Sequence, residues 1–193
     1  MDPISAAVES YRGVSSYRAT LVSTSDGDRE VIRYFYKRPG YVRMEFVTPH
    51  SGAVLVYDPV KGTAALRPFG SLKPLAFSLS PENRLIKSRR GHTVDRSDIG
   101  ALLSNVEALR KSGGMEIAGD EPVGGRQASK VNVRGDNGIS VDGINRYILW
   151  FDKKTGLPLK AVAFDRDGKA IEDVLMDDIE VTPDPPESFF TLD

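Results

Sequence analysis

The sequence of 193 residues has no cysteine, two histidines and one tryptophan. The lack of cysteine excludes disulfide bonds, thiolate nucleophiles and cysteine-ligated zinc. His50 and His92 lie in separate predicted loops, and no His-Glu-x-x-His motif is present, so the sequence also argues against a histidine metal site. No apolar run approaches the roughly 20 residues of a membrane-spanning helix.

The chain also has almost no net charge, because 26 basic and 27 acidic residues give a formal net charge of −1. This balance gives no electrostatic case for a nucleic-acid partner. Met1-Asp2-Pro3 has neither the basic nor the apolar segment of a signal peptide. Two interpretations fit that start: a cytoplasmic protein, or a mature periplasmic form whose signal is absent. The length is sufficient for one domain over residues 1–193.

Recognisable catalytic motifs are missing as well. The loop Gly138–Gly143 has a serine but not the glycine two residues later that a nucleophile elbow requires. Asp165 and Asp167 stand at the wrong offsets for a calcium loop, and a hairpin turn is the better interpretation. Asp177 and Asp178 are adjacent on a predicted strand, where they point to opposite faces. We therefore expect no enzyme activity, no metal and no cofactor.

Two amphipathic helices are predicted. The first runs from Pro3 to Arg12, with Asp2 as the N-cap and Gly13 as the stop. The second runs from Ser97 to about Ser112, and its apolar stripe consists of Ile99, Leu102, Leu103, Val106 and Leu109.

The rest of the chain reads as short strands rich in β-branched and aromatic residues. Before the second helix they are Tyr17–Thr24, Glu30–Lys37, Tyr41–Thr48, Ala53–Asp58 and Thr63–Arg67; after it come Met115–Gly119, Gln127–Val133 and three strands between Tyr147 and Leu192. Turns this short connect antiparallel neighbours. The predicted fold is mainly β: an unclosed antiparallel barrel, or strongly curved sheet, of about ten strands with amphipathic helices over its concave face.

Several strands are apolar on both faces, such as Tyr34-Phe35-Tyr36 and Ile148–Phe151. A half-solvated sheet would alternate apolar and polar residues. Two interpretations are open: helices and loops cover the second face, or that face lines an apolar cavity for a ligand. A basic cluster, Lys87–His92, is either a solvated loop or a contact for anionic headgroups or an acidic partner.

Three segments near the start, Val14–Tyr17, Tyr36–Met44 and Leu55–Asp58, together resemble the LolA-like family of periplasmic lipoprotein carriers. The later Phe151-Asp152-x-x-Thr155-Gly156-Leu157-Pro158, Asp165-x-x-Gly168-Lys169 and Pro183-x-Pro185-x-x-x-x-Phe189 are similar to its outer-membrane lipoprotein-sorting branch. The resemblance covers nearly the whole chain and is weakest from Phe69 to Gly114.

The resemblance implies an unclosed barrel with helices as a lid, located in the periplasm. Its ligands would be acyl chains of lipoproteins or other lipids, carried toward the outer membrane, with membrane-bound donor and acceptor proteins as further partners. It implies neither metal nor catalysis. It also assigns Arg38 as a latch of the lid, for which a surface ion pair is the alternative. Ile99, Leu102, Leu103 and Val106 would belong to the lid helix.

Alternation along the strands predicts the side chains that line the cavity: Tyr34, Tyr36, Met44, Phe46, Leu55, Leu66 and Trp150. Met44 stands where carriers often have an aromatic residue, and a flexible thioether still suits an acyl ligand. The alternative function is an envelope sensor or interaction module on the same fold, which binds lipid or a protein partner without transporting it.

Overall fold

The computed structural model describes residues 1–68 and 76–192. Eleven strands form one antiparallel sheet in the order β6-β5-β4-β3-β2-β1-β11-β10-β9-β8-β7. The order is linear, and within those two ranges no pairing joins the edge strands β6 and β7. The predicted fold class, a mainly β chain with an unclosed antiparallel sheet and two helices, is therefore confirmed.

The helices are α1 (Pro3–Arg12) and α2 (Ile99–Lys111). The strands are β1 (Ser16–Ser25), β2 (Asp28–Lys37), β3 (Tyr41–Thr48), β4 (Val54–Asp58), β5 (Thr63–Arg67), β6 (Phe77–Leu79), β7 (Gly113–Val123), β8 (Arg126–Gly135), β9 (Arg146–Asp152), β10 (Pro158–Phe164) and β11 (Ala170–Val181). Short 3₁₀ turns lie at Val94–Arg96, Asp136–Gly138 and Glu187–Phe190.

These elements divide into two compact units. Unit 1 contains Met1–Val14, Ser23–Asp28 and Ile99–Asp177, and unit 2 contains Ser15–Val22, Arg29–Asp98 and Asp178–Asp193. Each unit is described by itself below. The single domain expected from the length stays a prediction.

In unit 1, α1 packs on α2 and β9, and α2 packs on β7 and β8. Asp2 caps α1 as predicted, because its carboxylate accepts a hydrogen bond from the Ser5 amide at 3.0 Å. The same carboxylate accepts from the Arg110 guanidinium in the last turn of α2 at 2.8 Å. One acidic side chain therefore begins one helix and joins it to the end of the other.

The β9–β10 turn of unit 1 receives α1 at close range. Gly156 in this turn has a φ of +73°, and a Cβ at that position would lie 2.7 Å from the Ser10 Oγ on α1. The positive φ favours glycine, and a Cβ at this position would in addition force the Ser10 hydroxyl to move. The glycine of the Thr155-Gly156-Leu157-Pro158 motif, which is part of the family resemblance, is therefore explained by the packing of α1 on this turn.

In unit 2, the 3₁₀ turn Glu187–Phe190 packs on β3 and β4. The Phe189 ring meets Phe35 edge-on at 5.0 Å, and Phe190 lies 5.7 Å from the Tyr41 ring. Arg43 donates a hydrogen bond to the Phe189 carbonyl at 3.0 Å. The C-terminal segment is thus the cover for one face of these strands.

The limits of most strands agree with the sequence prediction to within two residues, and β7 is the main exception. The strand was predicted as Met115–Gly119 and extends over Gly113–Val123. Pro122 and the following glycines suggested an interruption, but β7 is an edge strand, where a missing backbone donor is tolerated. The β7–β8 pairing also contains a register shift between Ile117 and Gly119.

Candidate functional site

An uninterrupted apolar surface covers one face of the sheet in unit 2. Directly paired residues share a face, so the register fixes its members. We call this surface the tyrosine face. It consists of Ile32, Tyr34, Tyr36, Val42, Met44, Phe46, Leu55, Tyr57, Ala64, Leu66, Phe77 and Leu79. None of these side chains carries a charge at neutral pH.

The burial of the tyrosine face falls from the centre of the unit toward the edge strand. One cross-strand row runs through Tyr34, Met44, Leu55, Leu66 and Phe77. Tyr34 is 1% exposed, and Phe77 at the end of the row is 49% exposed. The six predicted cavity residues that lie in unit 2 all belong to this face, so the structure brings them together.

Tyr17 of β1 extends the aromatic part of this surface, and sequence reasoning missed it. Its ring stacks on Tyr36 at 5.2 Å and on Tyr34 at 5.9 Å. Phe35 between them packs on Phe189. The run Tyr34-Phe35-Tyr36 is apolar on both faces because a tyrosine stack lies on one side and the C-terminal segment on the other.

A partly buried hydrogen bond joins the tyrosine face to Ser97, the residue that directly follows the 3₁₀ turn Val94–Arg96. The hydroxyls of Tyr34 and Ser97 are 2.9 Å apart, and the Ser97 hydroxyl donates to the Val94 carbonyl at 2.7 Å. Because a serine hydroxyl has one proton, Tyr34 is the donor toward Ser97. Burial, the largest influence, raises the pKa of the Tyr34 phenol far above its usual value, so it stays protonated.

We expect Tyr34→Phe to loosen this turn. The change leaves the ring in place but removes the donor to Ser97, whose hydroxyl then keeps only its hydrogen bond to the Val94 carbonyl. A loss of about 1 kcal/mol in the free energy of unfolding should follow. Hydrogen exchange of residues 94–98 should become faster. Tyr41→Phe, which removes a phenol hydroxyl on the opposite face of the same strands beside Phe190, is the control and should leave the exchange of residues 94–98 unchanged; equal effects of the two changes on that exchange would contradict the role of Tyr34.

Trp150 was also predicted as a cavity residue, and it has different surroundings. It lies in unit 1, where the register places Lys130 and Lys160 beside it on one face. Their ammonium groups lie 5.0 Å and 5.3 Å from the ring centroid. The indole N–H donates to the Glu121 carboxylate. The structure therefore groups Trp150 with charged side chains, and its neighbours Leu149 and Phe151 fill the core of unit 1.

The predicted lid residues lie on α2. Ile99, Leu103 and Val106 are buried and Leu102 is half-buried. Arg38 follows β2, where its backbone N–H donates to the Ser15 carbonyl at 2.8 Å and its side chain is exposed. The lid and its latch stay predictions. The contact that the structure supplies, Tyr34 with Ser97, joins residues 63 positions apart and has no local signal in the sequence.

Within residues 1–68 and 76–192, no three acidic or histidine side chains come together as a metal site. None of the helices in these ranges is long and apolar enough to cross a membrane.

Comparison with solved structures shows the fold. Lipoprotein LppX of Mycobacterium tuberculosis is similar with a TM-score of 0.59 and 11% identity, over 99% of this chain and 96% of that one. An uncharacterised conserved protein of Thermus thermophilus is similar with a TM-score of 0.58 and 14% identity, over 97% of this chain and 90% of that one. A chain of the MucA/MucB complex of Pseudomonas aeruginosa is similar with a TM-score of 0.55 and 17% identity, over 98% of this chain and 59% of that one.

The chain thus spans about three fifths of the solved chain from the MucA/MucB complex. None of the curated proteins compared with the sequence matches it. The resemblance to LolA-like proteins that the sequence predicted is confirmed. The profile of the MucB/RseB N-terminal domain matches residues 78–191, which is more than half of the sequence. The chain belongs to the MucB/RseB N-terminal domain family.

Proposed function

We propose that this protein binds acyl chains in the periplasm and carries them toward the outer membrane, without catalysis. The observation that carries the proposal is the uncharged tyrosine face across five strands of unit 2. Each methylene of an acyl chain that leaves water for such a surface contributes about 0.8 kcal/mol. A chain of ordinary length therefore gains enough from burial to need no polar contact.

Access to this surface requires movement of the segment that covers it. The 3₁₀ turn Val94–Arg96 is held there by the hydrogen bond between Tyr34 and Ser97 and by the buried side chain of Val94. The hydrogen bond has a net worth of about 1 kcal/mol, and burial of a valine side chain contributes about 1.5–3 kcal/mol. Burial of about six methylenes, at about 0.8 kcal/mol each, exceeds this sum, so displacement of the turn by an acyl chain is favourable on balance. Arg38 and the apolar stripe of α2 remain the proposed lid parts.

The experiment compares two adjacent residues of β3. Phe46 pairs with Ile32 on the tyrosine face and is half-buried, whereas Val47 is exposed and has no paired residue on that face. Phe46→Gln should weaken the binding of a fluorescent sixteen-carbon fatty acid about tenfold, because the ligand loses an apolar contact. Val47→Gln should leave it unchanged. Native mass spectrometry of protein from its own host should show a lipid mass.

A second function is a protein-binding envelope sensor, which the family membership favours. A relative with this fold was solved as the MucA/MucB complex. The two proposals differ in the same titration. If no fatty acid binds and no lipid co-purifies, the carrier is rejected and the sensor is retained. If fatty acid binds with equal affinity to both β3 variants, the tyrosine face is not the site.

A further inference from the structure

The loop of residues 82–96 in unit 2 is rich in basic side chains. It contains five cationic side chains, Arg84, Lys87, Arg89, Arg90 and Arg96, and two carboxylates, Glu82 and Asp95, in a protein whose net charge is −1. The Lys87 ammonium pairs with the Glu82 carboxylate at 2.6 Å. Asp95 lies near Tyr57, whose pKa is raised by burial and then by this carboxylate. Lys87 is thus paired, and the loop also carries Arg84 and Arg96, whose side chains are exposed.

An exposed leucine lies within this basic loop. Leu85 is 78% exposed, and its neighbour Ile86 is buried. Asn83 fixes this arrangement, because its side chain accepts from the Leu85 amide at 3.0 Å and its carbonyl accepts from the Ile86 amide at 3.1 Å. The leucine is thus held outward by a hydrogen-bonded turn, directly after Arg84.

We propose that this loop docks on an anionic lipid surface, with Leu85 inserted among the acyl chains and the arginines on the headgroups. Basic side chains attract an anionic surface, and an apolar side chain in the same loop enters its interior. A lipid surface is favoured over an acidic protein, because a single protruding leucine needs a fluid apolar partner and no shaped pocket. The inference deepens the proposed lipid carrier by giving it a membrane contact.

The test is sedimentation with two kinds of vesicle. One consists of phosphatidylcholine alone, and the other also contains about 30% phosphatidylglycerol, which makes its surface strongly anionic. The protein should bind the anionic vesicles only, and salt should weaken binding. Arg84→Gln should reduce binding about fivefold, and Leu85→Ser about tenfold. Val60 is the matched control, since it is 77% exposed beside Lys61, which pairs with Asp58 at 3.5 Å. Val60→Ser should change nothing.

Three outcomes would overturn the docking surface: no preference for anionic vesicles, equal effects of Leu85→Ser and Val60→Ser, or binding of polyglutamate without binding of vesicles. The last result would assign the loop to an acidic protein. Failure here and failure of the proposed carrier are distinguishable, because Leu85→Ser should retain fatty-acid binding and Phe46→Gln should retain vesicle binding.

Discussion

Replacement of Phe190 by alanine is expected to lower the free energy of unfolding by about 3–5 kcal/mol. The ring is 1% exposed and lies 5.3 Å from Phe189 and 5.7 Å from Tyr41. Its removal leaves a cavity between the C-terminal turn and the strands beneath it. Since small proteins are stable by roughly 5–15 kcal/mol, the loss is a large part of the total. Urea denaturation measures it as a lower midpoint.

The control for this change is Val181→Ala in the same C-terminal part of unit 2. Val181 is 49% exposed, so the substitution removes little buried surface. A change below about 0.5 kcal/mol is expected. If Phe190→Ala costs no more than this control, the C-terminal turn does not stabilise unit 2.

Replacement of Asp152 by asparagine is expected to lower the free energy of unfolding by about 3 kcal/mol at pH 7. The carboxylate side chain is 3% exposed and accepts hydrogen bonds from the Arg126 guanidinium and from the Thr155 hydroxyl, the latter at 2.7 Å. The Lys154 amide is a third donor at 3.2 Å. Asparagine keeps the shape but removes the charge that these donors face. The measurement is again urea denaturation.

The contribution of Asp152 should also depend on pH. Burial acts to raise its pKa, but the hydrogen bonds from Thr155 and Lys154 and the charge of Arg126 outweigh it and hold the pKa below the usual value. A carboxyl with a lowered pKa in the folded state stabilises the fold above its unfolded pKa of about 4, and this contribution is lost as the pH falls through the folded value. The difference between the native protein and Asp152→Asn should therefore shrink in acid.

Asp167→Asn is the control, because Asp167 is exposed in the β10–β11 turn. It should change stability little at either pH. A difference between native protein and Asp152→Asn that stays constant from pH 7 to pH 3 would contradict a stabilising role of the ionised carboxylate.

Local signals in the sequence predicted most of the architecture. The cap at Asp2 and the glycine stop placed α1 correctly, since both act within a few residues of the helix ends. Alternation on β2 and β3 placed Tyr34, Tyr36, Met44 and Phe46 on one face, and the register has them there; their role in lining a cavity stays a prediction. Each of these signals is confined to one element or one turn, which is why it can be read without knowing the neighbours in space.

The surroundings of Trp150 could not be predicted in the same way. All four residues of Ile148–Phe151 are apolar, so alternation gives no indication of which face meets the core. The surroundings of the indole are set by the neighbouring strands, where Lys130 and Lys160 lie beside it. Ser97, the partner of Tyr34, is even more distant from it in the sequence, at 63 positions. The second helix was predicted to begin at Ser97, but α2 begins at Ile99.

The placement of Trp150 also gives the protein a separate optical probe in each unit. The only tryptophan lies in unit 1, in contact with two ammonium groups and a carboxylate, so its emission responds to the loss of that local field. Tyr17, Tyr34, Tyr36, Tyr41 and Tyr57 lie in unit 2, whereas Tyr11 and Tyr147 lie in unit 1. Tyrosine absorbance therefore reports mainly on unit 2. Without any label, one denaturation series follows the two halves of the chain independently and reveals whether they melt as one cooperative body.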